Sequence, residues 1–140
     1  MTTDQETADT LAGFSVFSDL SAPQLEEAAH TLEEEWFAEG QRVLRQSFTG
    51  GGLYFIVDGE ATIEIDGEER ARLGRGEYFG EVSVLLGEPP VADVVATRAL
   101  RCLVLAEPDV EPFLLAHPSV MYRMLQAQAR RLRSANLWRR

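Results

Sequence analysis

The chain has 140 residues, 45% of them hydrophobic, and a formal net charge of -10, which is enough for one domain with a real core. The acidic balance argues against a general nucleic-acid-binding surface, because phosphate contacts need cations. No apolar run approaches the ~18 residues of a membrane span, the acidic N-terminus lacks the basic and apolar regions of a secretory leader, and the lone Cys102 excludes an intrachain disulfide or a cysteine-ligated metal, so the chain is expected to be cytoplasmic.

Charge is unevenly placed. Glu111 is the last acidic residue, and Arg123, Arg130, Arg131, Arg133, Arg139 and Arg140 follow it. There is no lysine, which we read as genome composition bias. Residues 1–10 are polar, acidic and without periodicity, so a mobile acidic arm is expected there, ahead of a domain over 11–136 and a basic tail over 137–140. Phe14, Val16, Phe17 and Leu20 are apolar enough to dock the arm onto the core. Ser21 then reads as an N-cap, Pro23 fits a first turn, and Leu25, Ala28, Ala29 and Leu32 share one helical face.

From about residue 34 to 106 short runs of Val, Ile, Tyr and Phe alternate with turn signals such as Asp58-Gly59, Asp66-Gly67 and Gly74-Arg75-Gly76. Such spacing predicts a sandwich or barrel. Ala61–Ile65 and the run from Glu68 should form a hairpin through a type I′ turn at Asp66-Gly67, with Thr62 and Glu64 on a wet face and Ile63 and Ile65 on a buried one. Residues 92–106 read as a final hairpin turning near Arg98-Ala99. Beyond Pro108 the period is helical: a brief helix ends at His117-Pro118, and Ser119 caps a longer one with Met121, Leu125, Gln128, Leu132 and Ala135 on one stripe.

These motifs converge. Phe17-Ser-Asp-Leu-Ser before a helix, Phe37-Ala-Glu-Gly40, Leu53-Tyr-Phe-Ile-Val-Asp-Gly59, Leu73-Gly-Arg-Gly-Glu-Tyr-Phe-Gly-Glu81 and the closing Ala129-Arg-Arg-Leu132 resemble the cyclic nucleotide-binding domain of catabolite-activator-type regulators, kinase regulatory subunits and gated channels. The resemblance implies a mainly β fold with flanking helices, an eight-stranded jelly roll, with cAMP or cGMP held by a phosphate-binding cassette. Within that cassette it implies that Gly80 lets the backbone approach the sugar-phosphate and that Glu81 accepts from the ribose 2′-hydroxyl. The turn through Val82 and Ser83 would then present N–H groups to the phosphate, as a helix start does.

One element of the pattern is absent. The family closes the cassette with an arginine and a small or hydroxyl residue, and counting on from Gly80-Glu81 puts Pro90 and Val91 there. Proline supplies neither charge nor N–H. Losing one partner of a buried charged pair costs ~3–5 kcal/mol, or roughly two to four orders of magnitude in affinity. Asp93 could add negative charge, while Arg75, Arg98 and Arg101 are poorly placed to compensate.

The resemblance also implies that the last helix pairs with a second copy and covers the base, near Ala135 and Asn136. Trp36, Phe37, Trp138 and the Met121, Leu125, Leu132 stripe are read as core or dimer seam, Glu33-Glu34-Glu35 as a solvated face, and His30 and His117 as surface or boundary residues. No nucleophile–base pair, metal cluster or phosphate loop is recognisable, so no enzyme is expected and no cofactor. No DNA-reading helix pair follows residue 136. The expectation is a stand-alone regulatory module that senses a cyclic nucleotide weakly by moving its C-terminal helix. Its alternative is a protein-interaction or dimerisation domain with a degenerate pocket.

Overall fold

The computed structural model describes residues 3–48 and 51–138, with side chains through Ala135. Helix α1 (Asp4–Leu11), a 3-10 turn (Ser15–Phe17) and α2 (Ala22–Thr31) precede strands β1 (Glu33–Phe37), β2 (Arg42–Leu44), β3 (Gly52–Asp58), β4 (Ala61–Ile65), β5 (Glu68–Leu73) and β6 (Tyr78–Phe79). Helix α3 (Glu81–Leu86), β7 (Asp93–Ala96), β8 (Leu100–Ala106), α4 (Glu107–Ala116) and α5 (Pro118–Trp138) complete the chain. Two four-stranded antiparallel sheets, ordered β1-β8-β3-β6 and β2-β7-β4-β5, make an eight-stranded jelly roll with flanking helices, as the motifs imply.

Both faces of the β8-β3 pair are buried, which is why their sequences read as nearly unbroken apolar runs. Ile56, Leu100 and Cys102 turn into the roll with Phe79 and Val94. Leu53, Phe55, Leu103 and Leu105 turn outward onto the helices, where they meet Phe14, Phe17, Phe113, Val120 and Met124. Phe55 packs edge-on to Phe14 at 6.0 Å and against Phe17 at 5.1 Å between ring centroids, so the docking role read for Phe14, Val16 and Phe17 holds. Burial pushes the Cys102 thiol up to about 12, which keeps it un-ionised and unreactive.

The hairpin between β4 and β5 forms as expected, with Asp66 and Gly67 both at positive φ. Ser21 caps α2 in a capping box with Gln24. Elsewhere the structure corrects the sequence. The expected arm is helix α1 from Asp4 on: Thr3 and Glu6 form a reciprocal capping box and Thr7, Ala8 and Leu11 are buried against the body. Residues 92–106 are not a hairpin, because β7 pairs with β2 and β4 whereas β8 pairs with β1 and β3. The corner between them is tied to the opposite connection instead. Thr97 donates its N–H to the Glu60 carbonyl and its hydroxyl to the Glu60 carboxylate, and Gly59 lies so close to the Ala99 carbonyl that a Cβ there would stand 2.2 Å from its oxygen.

The two faces of β4 are also not as read: Thr62 is buried, while Ile63 and Ile65 are only half-buried because they face a cavity inside the roll. Helix α5 begins at Pro118, so Ser119 is within it and is not its cap. Trp36 is 65% exposed, on an edge strand, with the Arg101 guanidinium over its ring. His117 is buried, its ring 4.7 Å from Phe113, whereas His30 is at the surface beside Asp4. Among the described residues no His, Cys, Asp and Glu cluster could hold a metal ion, and no helix is long and apolar enough to cross a membrane.

Candidate cassette site

The segment 80–94 folds from a glycine. Gly80 adopts φ 93°, and a Cβ there would stand 2.1 Å from the Gly52 carbonyl oxygen. Only glycine permits both the left-handed backbone and that approach. The requirement comes from β3 itself and holds with or without a ligand. Helix α3 follows for six residues and stops at Gly87, φ 67°.

Glu81, the first residue of α3, is 5% exposed. Its Oε2 accepts from Arg131 Nη1 at 3.0 Å, and the same nitrogen donates to Gln128 Oε1 at 3.1 Å. The guanidinium also lies 5.2 Å from the centre of the Tyr78 ring. Burial pushes the Glu81 carboxyl above its ordinary value of 4.5; the Arg131 charge, the hydrogen bond from Arg131 and the N–H groups of Glu81 and Val82 pull the other way. Thus a partner from α5, fifty residues on, holds the carboxylate that a ribose hydroxyl is expected to meet.

The Ser83 hydroxyl donates to the Glu88 carbonyl, and the Gly87 and Glu88 N–H groups donate to the Ser83 carbonyl. Ser83 therefore staples the corner that follows α3. At that corner Pro90 is buried and accepts from the Ser47 N–H at 2.8 Å, while Val91 is half exposed. Asp93 turns away: it accepts from the Gln46 N–H at 2.7 Å and lies 3.6 Å from Arg42 Nε. Its charge is directed at β2.

Gly80, Glu81, Val82, Ser83, Pro90 and Val91 do converge on one half-open cavity of about 130 Å³, lined also by Leu44, Ile63, Ile65, Phe79, Ala92 and Val94. Glu81 is the one charged residue among its described lining. Arg98 pairs with Glu60, Arg101 with Glu34, and Arg75 lies on a separate groove beside Asp9 and Asp58. None of the three lines the cavity. Ala135 is exposed on α5, and the side chain of Asn136 lies outside the described residues.

Arg131 is the residue sequence reasoning missed. Of the stripe chosen there, Met121, Leu125, Leu132 and Ala135 face outward, Leu125 and Leu132 each 63% exposed, while Gln128 is half-buried and bonded to Arg131. The inward face is Val120, Met124, Ala127 and Arg131. Their spacings of four, three and four residues were the available signal.

Three comparisons bear on this site. A family model described as a cyclic nucleotide-binding domain matches residues 34–117. A protein of Rhodopseudomonas palustris named as a potassium channel is 31% identical over 131 residues, covering 91% of this chain and 32% of that one. The catabolite activator protein of Thermus thermophilus superimposes with a TM-score of 0.78 at 29% identity, over 87% of this chain and 60% of that chain. The regulatory subunit of a cAMP-independent protein kinase A from Trypanosoma brucei does so with a TM-score of 0.74 at 27% identity, over 88% and 47%. The chain thus spans about a third to three fifths of the length of these relatives.

Proposed function

Because the chain belongs to the cyclic nucleotide-binding domain family, we propose that it is a regulatory module whose cassette controls the position of α5 through Glu81 and Arg131, and that cyclic nucleotides bind it only weakly. The observation that carries this is the 3.0 Å contact between Glu81 Oε2 and Arg131 Nη1. A ligand hydroxyl and Arg131 compete for one buried carboxylate, so ligand and docked helix have different affinities for the two positions of α5, which is what a switch requires.

Magnitudes make the competition workable. A hydrogen bond to a charged group contributes about 1.5–3 kcal/mol. The pair with Arg131 falls below the ~3–5 kcal/mol of a fully buried one, since the guanidinium is 45% exposed and solvent screens it. The two are close enough for a ligand to tip the balance. Weak cyclic nucleotide binding follows from Pro90 at the closing corner and from a cavity wall without a cation. The Trypanosoma brucei subunit is itself described as belonging to a cAMP-independent kinase.

Two measurements test the proposal. Hydrogen exchange on Arg131→Gln is expected to show faster exchange over residues 120–135 with the sheets unchanged; undisturbed protection in that helix refutes the coupling. Calorimetry is expected to give millimolar dissociation constants for cAMP and cGMP, improved at least ~tenfold, or about 1.4 kcal/mol, by Pro90→Arg. A low-micromolar constant for the unsubstituted chain refutes the weak-binding half.

A second reading, an interaction or dimerisation domain, is favoured by the outward stripe of α5, where Met121, Leu125 and Leu132 are all exposed.

A further inference from the structure

We infer that the groove between α3 and α4 is a docking surface for the cationic end of α5 from a second copy of this chain. The contact lies outside the cassette cavity and is independent of what the cassette binds.

The groove, of about 650 Å³, is lined by Val84 of α3 and by Glu107, Pro108, Glu111, Pro112 and Leu115 of α4. Glu107, Glu111 and Leu115 follow one another at intervals of four, as do Pro108 and Pro112, so they share one face of their helix. The core side of α4 is Val110, Phe113 and Leu114. On the groove side Leu115 is 64% exposed, and on α3 Leu85 and Leu86 are 52% and 62% exposed. Apolar surface of this kind, rimmed by charge, marks a place where another molecule docks.

Charge selects the occupant. The Glu107 and Glu111 carboxylates make no hydrogen bond or ion pair among the described residues, whereas Glu60, Glu69, Glu81, Asp19 and Asp93 each hold an arginine. On α5 the same division appears among the cations. Arg123 and Arg131 are taken by Asp19 and Glu81, while Arg130 and Arg133 are exposed and without a partner among the described residues. Arg130 and Arg133 are one helical turn apart, and so are Glu107 and Glu111, which matches the two pairs in spacing. No acidic residue follows Glu111, so nothing on α5 opposes the carboxylates. The two sets do not meet within one chain; a second copy supplies what each lacks. Arginine also suits the floor of the groove, since its apolar stem can lie over Pro108 and Pro112 while the planar head reaches a carboxylate.

Sedimentation velocity on the full chain, up to submillimolar concentration, tests the inference through paired charge reversals. The unsubstituted chain is expected to self-associate. Glu107→Arg with Glu111→Arg, and separately Arg130→Glu with Arg133→Glu, are each expected to be monomeric, because like charges then face one another. A mixture of the two variants is expected to associate again, since each offers the charge the other requires. Glu107→Gln with Glu111→Gln, which puts no cation in the first turn of α4, is expected to weaken association ~tenfold or more. All four positions are exposed, so circular dichroism should be unchanged throughout. Association that survives reversal of the groove charges belongs to the leucine stripe of α5 and overturns the inference. So does a mixture that stays monomeric while both variants keep the native spectrum, and so does an unsubstituted chain that is monomeric at every concentration.

Discussion

Glu81 sits under opposed influences that leave a measurable signature in pH. Burial raises its folded-state pKa above 4.5 and Arg131 limits that rise. A carboxyl whose pKa is higher folded than unfolded contributes its stability fully below about 4.5, and that contribution is lost as pH rises through the raised value. Replacing Arg131 with glutamine removes the restraint, so the carboxyl climbs further and the ionised form becomes costlier to bury. Near neutral pH the variant is therefore expected to be less stable by about 1–2 kcal/mol, below the ~3–5 kcal/mol of a fully buried pair. The gap should close as the pH falls below 4.5, where Glu81 becomes protonated in both proteins. Asp19 runs the other way: its hydrogen bond with Arg123 lowers its pKa, so its contribution is present above 3.8 and lost as pH falls through the lowered value. It is common to both proteins and cancels in the difference. Urea midpoints at neutral and mildly acid pH measure this, and a gap independent of pH would show that Arg131 does not act through Glu81.

Between secondary-structure elements, legibility followed how local the determinants were. Asp66-Gly67 specifies its turn by backbone preference alone, and Ser21 and Gln24 cap α2 within four residues, so both were readable. The path from β7 to β8 was not, because two adjacent apolar runs look alike whether they pair with each other or with strands far away in the chain. Helix α1 had its capping box in view, Thr3 with Glu6, but only Ala8 and Leu11 to bury; so few apolar residues give a weak periodic signal. Packing on α2 and the sheet decides its state. Leu11 is fully buried, so Leu11→Ala is expected to cost roughly 2–5 kcal/mol from lost transfer energy and the cavity left behind. A urea midpoint unchanged by the substitution would restore the mobile arm that composition suggests.

At the scale of the whole molecule, the same helix carries two faces with different partners. Val120 and Met124 are buried against the body and Arg131 reaches Glu81, whereas Met121, Leu125, Leu132 and Ala135 are exposed and, with the half-buried Gln128 between them, recur at alternating spacings of four and three residues. That is the spacing of a coiled-coil seam. A single exposed leucine needs no explanation, but a row of apolar side chains at this period does. The arginines after Glu111 keep the helix cationic against an acidic body, which favours contacts between unlike regions of two copies as well as pairing of like helices. Sedimentation velocity separates these. If the stripe is a seam, the chain sediments as a dimer and Leu125→Glu with Leu132→Glu makes it monomeric at unchanged circular dichroism, since neither leucine belongs to the core. Dissociation by salt alone, with the double variant still dimeric, would instead place the contact on the charged surfaces, and a monomer throughout would leave α5 answering only to its own cassette.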